Sequence, residues 1–298
     1  MSTPSLAAAS CGASVNAASG RVVLGWFAAS ERGFAMGVRP PSPPLGVDLA
    51  ALVMPALARH DLREAFVFPA TLCVIAAILA LVLVIDPPRH GADFAEGPGS
   101  PYRTPRLWRL HAASTFLVVP QFAVSAFVLE YLVNQRHWSL LPAGRLVFAM
   151  QVAGAAGRIG VGIWSDRVGS RLRPMRQIAM ASALTMAAVA IGDATDSWLV
   201  VVAFAAGAVV SVTDNGLGFT AVAEIAGPAW AGRALGAQNT AQNVAAMLTP
   251  PLLGVAIEGS SYAWAFAITA LFPVVAVGLT PVARRPSQAD RSGRRTMD

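Results

Sequence analysis

Long apolar stretches alternate with short polar interruptions along this chain, and the stretches have the length of membrane spans. Residues 65–85 hold no ionisable group except the thiol of Cys73, and 234–257 and 259–283 hold no charged side chain at all. A helix needs roughly 20 apolar residues to cross the hydrocarbon core. Read in this way, the pattern predicts nine transmembrane helices: 5–24, 37–58, 65–85, 107–133, 141–164, 176–192, 198–223, 234–257 and 262–283. Pro55, Pro120, Pro250, Pro251 and Pro273 fall inside them, where neighbouring helices can satisfy the carbonyls a proline frees. Small residues four apart, such as Ala153 with Gly157 and Ala156 with Gly160, let helices approach closely. The fold expected is all-α, a polytopic transmembrane bundle.

Composition agrees with that pattern. The chain is 55 % hydrophobic and 13 % charged, too apolar to cover a soluble domain of 298 residues. All 22 of its basic residues are arginine and the net charge is +6, yet the arginines fall in short clusters between apolar runs. That distribution fits cytoplasmic loops and excludes a nucleic-acid stripe. Cys11 and Cys73 read as small buried hydrophobes. His60, His90, His111 and His137 are scattered without metal-ligand spacing, and no nucleophile elbow or phosphate-cradling loop is present. Neither an enzyme, a cofactor nor a metal is expected.

Arginine counts set the orientation. The loop 166–176 carries Arg167, Arg171, Arg173 and Arg176 against Asp166, and the tail from Arg284 is also net basic. Four spans separate the two, so both can be cytoplasmic, while Asp193 and Asp196 fall on the opposite side. A multi-pass protein of the cell membrane with a cytoplasmic C-terminus is expected. Glu130 and Arg145 flank an outer connection, where a salt bridge is expected. Tryptophans near span ends read as interface anchors.

The densest polar knot is GRIGVGIWSDRVGSRLR at 157–173: Gly157, Arg158, Gly162, Asp166, Arg167, Gly169 and Arg171 in the form G-R-x3-G-x3-D-R-x-G-x-R. It resembles the signature loop of the major facilitator superfamily, a twelve-span transporter family. RVVLGWF from Arg21, ERGFAMGVR from Glu31 and PLG from Pro44 look like that family's loop between spans four and five. Glu224 followed by GRALG from Gly232 looks like its loop between spans ten and eleven, and DPPR from Asp86 like the end of span six. The resemblance implies a partial first half (1–85), a central cytoplasmic loop (86–106), a six-helix second half (107–283) and a basic tail (284–298). It also implies about nine spans instead of twelve, matching spans four to twelve, with a separately encoded fragment as the partner that would supply the others. The proline-crowded stretch at 40–44 and Asp48 depart from the family pattern.

The function implied is that of an integral membrane permease or efflux protein for a small solute, coupled to an ion such as the proton. A truncated, non-transporting membrane protein is the alternative. Gly162 and Gly169 allow close approach and a tight turn, and Asp166 can accept from a neighbouring helix's amide terminus. With Arg167, Arg171 and Arg158 these residues would form the family's conformational latch; Glu224, Arg233 and Arg32 would extend the cytoplasmic network. Arg158, eight residues before Asp166, belongs with that network or pairs with Asp214, the former being preferred. Ionisable residues inside spans are functional candidates because burial is costly. Asp214, with Asn215, is therefore the expected substrate or proton site, alongside Gln121, Asn239 and Asn243.

Overall fold

The computed structural model describes residues 19–20, 22–23, 25–38, 53–54, 57–59, 61–85 and 99–282. Most of the expected spans 5–24 and 37–58, most of the central loop and the basic tail lie outside them, as do Pro40–Pro44 and Asp48. Nine α-helices are described. They are α1 Arg32–Val38, α2 Leu62–Leu83, α3 Pro105–Glu130, α4 Leu140–Val168, α5 Leu172–Ala194, α6 Leu199–Val210, α7 Asp214–Ala226, α8 Ala231–Gly259 and α9 Tyr262–Leu279. A short 3-10 turn, Pro101–Arg103, precedes α3, and a π-helical turn, Tyr131–Gln135, follows it.

Among the described residues six helical segments are long and apolar enough to cross a membrane, counting α6 and α7 as one span, Leu199–Ala226. At 29 residues α8 also has the length, but the run Gln238-Asn-Thr-Ala-Gln-Asn243 makes it too polar to qualify by composition. α2 is apolar on every side, with Phe66, Ile78, Leu81 and Val82 all exposed. In a bilayer such a surface faces lipid. It starts where Asp61 accepts from Arg63 N at 2.9 Å, a side-chain N-cap.

The expected span 198–223 is broken: α6 stops at Val210, and α7 starts at Asp214 on a new hydrogen-bond ladder. The sequence at the break, Ser211-Val-Thr-Asp-Asn-Gly216, explains it. Ser, Thr, Asp and Asn offer the backbone side-chain alternatives to helical bonding, and Gly adds conformational freedom. Thr213 Oγ1 bonds Val210 O at 2.8 Å in just this manner.

Packing divides the core into two apolar clusters. One, toward the end of the bundle carrying Asp193 and Asp196, is built on Val128, Tyr131, Met186, Val200, Phe204 and Phe266. The other, toward the arginine-rich α4–α5 hairpin, is built on Leu107, Leu110, Met175, Leu217, Val222 and Leu235. We call these the acidic and basic ends. Between the clusters nearly every long helix places a buried polar residue: Gln121 is partly buried on α3, Arg158 lies on α4, Ser182 on α5, Gln242 on α8 and Thr269 on α9. The break sits in this belt.

At the acidic end, Asp193 accepts from the Tyr131 hydroxyl at 2.8 Å and from Ala263 N, in the first turn of α9, at 2.7 Å. The expected salt bridge of Glu130 with Arg145 is not formed. Arg145 is exposed, and the ion pair at this end joins Arg136 to Asp196 at 2.6 Å. The π-helical turn after Glu130 carries Arg136 round toward the α5–α6 connection, which sequence spacing could not show.

Candidate functional site

The belt is organised around the helix break. Asp214 is the first residue of α7 and 1 % exposed, so its carboxylate sits at the positive end of that half-helix dipole. Its Oδ2 has no hydrogen-bond partner among the described residues, and neither has Ser211 Oγ. Arg158 comes to this level from α4. Gly154 and Gly157 let α4 pass close to the break, since a β-carbon at either would stand only 3.1 Å from the side chain of Val212 or Thr213. Arg158 Nε donates to Val212 O at 3.1 Å, a carbonyl within the interrupted ladder. Its guanidinium also interacts electrostatically with Asp214. The break thus exposes a carboxylate and backbone carbonyls at one depth, and a single arginine answers both.

On the other side of α7, Asn215 Nδ2 donates to Gln121 Oε1 of α3 at 2.9 Å. Gln121, Ser125, Gln151 and Ser211 line a cavity of about 30 Å³ beside the break. A site that size holds about two waters, and substrate pockets are roughly tenfold larger. Among the described residues this cavity is too small for a solute. Asn239 is buried, but Asn243 is exposed and folds back to bond the Asn239 carbonyl at 2.9 Å.

A second cluster lies at the basic end. Asp166, two residues before the end of α4, accepts from Gly33 N at 3.0 Å and Phe34 N at 2.9 Å, both in the first turn of α1. Arg171, only 8 % exposed, ties the cluster together. It bonds Asp166, Ser165 Oγ at 2.7 Å, Ala29 O at 2.5 Å and Glu224 of α7 at 3.4 Å. The helices touch backbone to backbone here: a β-carbon on Gly162 would lie 2.2 Å from Gly33 O, and one on Gly37 2.8 Å from Arg158 O. Gly169 closes α4 in the left-handed region at φ 62°, where a β-carbon is strained.

Several residues expected in this network lie elsewhere. Arg158 is at the break, two turns from Asp166. Arg167 is exposed in the last turn of α4, where its charge favours the helix C-terminus. Arg233 stacks over Trp230, 5.1 Å from the ring centroid, instead of meeting Glu224. Arg32 Nε bonds Phe27 O. Spacing along one helix shows which residues share a face but not what stands opposite them, and Arg171 gains its four partners only through the turn at Gly169. Ser114, Ser211 and Gln238, buried and unmarked by charge, were missed; the poor helix formers from Ser211 to Gly216 were the available signal for the first break-site residue.

Removing the Asp166 carboxylate would leave two amides and Arg171 without their acceptor. Asp166→Ala is expected to loosen α1 by about 1–3 kcal/mol. Amide exchange at Gly33 and Phe34 should accelerate roughly ten- to a hundredfold, and unchanged exchange would show that the contact does not hold α1.

Residues 5–250 match the sequence profile of the Major Facilitator Superfamily. The chain is 44 % identical over 283 residues to an uncharacterized MFS-type transporter of Mycobacterium tuberculosis (strain ATCC 25618 / H37Rv), covering 94 % of this chain and 64 % of that protein. The counterpart in strain CDC 1551 / Oshkosh matches with the same identity and coverage. The chain therefore spans a little under two thirds of the length of these relatives. Its fold resembles the Escherichia coli fucose:proton symporter FucP, with a TM-score of 0.68, 12 % identity, and coverage of 91 % of this chain and 74 % of the symporter. By the extent of the profile match and its identity to these relatives, this multi-pass helical membrane chain belongs to the Major Facilitator Superfamily.

Proposed function

We propose that the protein is a secondary transporter that moves a small solute by alternating access, coupled to proton movement at Asp214. The observation that carries this reading is the broken span, which brings a buried carboxylate, a lone arginine and a water-sized polar cavity to one depth. Discontinuous helices whose half-helix N-termini point into a midplane site are a transporter device. Asp214 takes up and releases the coupling proton, Arg158 holds the carboxylate when it is charged, and Gln121, Ser125, Asn215 and Ser211 offer neutral hydrogen-bonding groups to the solute.

The basic end is the cytoplasmic face of the plasma membrane, and the C-terminus lies on that side; arginine excess supports this. The Asp166–Arg171–Glu224 cluster is the latch. It joins residues of the partial first half, Gly33 and Phe34, to the second half, so it holds the cytoplasmic side closed in the conformation described. Release of the cluster opens that side. The named transport of fucose with protons by the structural neighbour agrees with the coupling ion proposed but says nothing about the solute.

Reconstitution into liposomes enclosing a pH-sensitive dye tests the proposal, with a panel of sugars, amino acids and amphiphilic cations applied outside. At least one solute is expected to drive proton movement, and Asp214→Asn should abolish that movement while leaving the protein folded. Proton movement undiminished in Asp214→Asn would remove Asp214 from the coupling role.

A further inference from the structure

Asp214 is not the only titratable side chain buried in the spans. His111 lies on α3, six residues in from its first residue, and is 7 % exposed. Its two ring nitrogens face two different elements. Nδ1 is 2.5 Å from Gln238 Oε1 of α8, and Nε2 is 3.3 Å from the Tyr102 hydroxyl in the 3-10 turn before α3. An amide oxygen can only accept, so Nδ1 carries a proton, and the neutral ring accepts at Nε2 from the tyrosine O–H.

A phenol hydroxyl both donates and accepts. Turning that one O–H lets Tyr102 accept from a protonated Nε2 with no heavy atom displaced, while Gln238 continues to accept at Nδ1. The same geometry therefore holds the imidazole and the imidazolium. Burial pushes the Tyr102 phenol above its ordinary range, so it stays neutral and available for either role. Tyr102 is half-buried at the basic end and ring-stacked on His111, with centroids 5.9 Å apart, which puts it between the histidine and the aqueous face.

Inward from His111 the polar groups continue. Gln238 Nε2 and Ser114 Oγ are fully buried and have no hydrogen-bond partner among the described residues. Both border Gly218 of α7, one turn from Asp214: a β-carbon there would meet Ser114 Oγ at 2.7 Å and Gln238 Nε2 at 3.8 Å. Gln242 Nε2 bonds Ser114 O at 3.4 Å, and two turns beyond Ser114 on α3 Gln121 meets Asn215. Among the described residues the charged groups on the flanking elements are engaged or exposed, Arg103 and Arg106 being exposed. Arg109 bonds Gly278 O of α9, Arg233 stacks on Trp230, Glu224 holds Arg171, and α9 itself has no charged residue.

We propose that His111 is a second proton-binding group of this transporter, exchanging with the basic-end face past Tyr102 and joined to the break by the polar seam of Ser114, Gln238 and Gln242. The proposal rests on the basic end facing the cytoplasm for its direction, but not on Asp214 being the coupling carboxylate.

Solid-state nitrogen NMR of the full chain, labelled on histidine and embedded in phospholipid bilayers, reads each imidazole's charge and tautomer. The signal lost in His111→Gln identifies the residue. It is expected to show the Nδ1–H tautomer at high pH and to convert to imidazolium on acidification, before pH 4 is reached. Tyr102→Phe removes the acceptor of the protonated Nε2–H, a charge-assisted bond stronger than the one the hydroxyl donates to the neutral ring, so the midpoint should fall by about half to one pH unit. A His111 signal that stays neutral to pH 4, or a midpoint unmoved in Tyr102→Phe, would overturn the proposal. Neither result bears on Asp214, whose role is decided by the liposome assay.

Discussion

Arg158→Met is expected to destabilise the folded bundle by about 3–5 kcal/mol, the cost of leaving a buried carboxylate without a compensating charge. Methionine is an unbranched, adaptable side chain of similar length, so lost volume contributes little. Val212 O in the interrupted ladder loses its donor, and the Asp214 carboxylate, whose Oδ2 has no hydrogen bond among the described residues, loses the positive charge that acts on it. The sign of the second change is the diagnostic. Adding Asp214→Asn to Arg158→Met takes away the stranded charge and should restore a large part of the loss, although Asp214→Asn alone should itself destabilise, because it leaves the buried Arg158 guanidinium without its opposing charge. Thermal unfolding of the three purified variants in one detergent measures this cycle. Additive effects, with no rescue in the double variant, would mean that Arg158 and Asp214 are energetically independent.

Gly162→Leu carries the next largest effect, and it acts on the latch. A β-carbon at 162 would stand 2.2 Å from Gly33 O, against an ordinary contact of 3.4 Å or more. Even alanine must part α1 from α4 by over an ångström, and leucine must part them further. Backbone cannot yield as a flexible side chain does, so overpacking of about 1–3 kcal/mol or more results. The two bonds from Gly33 and Phe34 to Asp166 cannot survive such a separation. Spin labels at the exposed positions Phe34 and Val168 report the spacing in a background without Cys11 and Cys73. The variant should shift the distance distribution outward and broaden it, whereas Gly160→Leu, which meets no atom within 4 Å, should not. Identical distributions for Gly162→Leu and the parent would refute the close crossing.

The parts of this protein that depend on local pattern were legible from its residues, and those that depend on what faces a helix were not. Apolar run length located the segments that become α2 to α9, and the arginine-rich motif located the α4–α5 hairpin. Asp214 stood out because nothing apolar surrounds a carboxylate without a reason. The break beside it was hidden, since Val, Ala and Gly keep the hydropathy of 198–223 high straight across it. Arg158 was assigned to the wrong level because its eight-residue spacing from Asp166 aligns the two on a face yet separates them by about 12 Å along the axis. As a sequence feature His111 was one of four scattered histidines without metal-ligand spacing, and nothing in its neighbourhood marked it. Its partners come from a 3-10 turn and a helix more than a hundred residues away, which no spacing rule connects.

The break between α6 and α7 also has an electrical meaning. With 12 residues before it and 13 after, the half-helices rise about 18 and 20 Å, so Asp214 divides the span almost evenly. A unit charge crossing the whole membrane changes its energy by about 2.3 kcal/mol per 100 mV. A proton reaching Asp214 from either face therefore exchanges about half of that with the membrane potential. Loading and unloading would each be voltage-dependent steps, so the potential would bias both the occupancy of the carboxylate and the direction in which it empties.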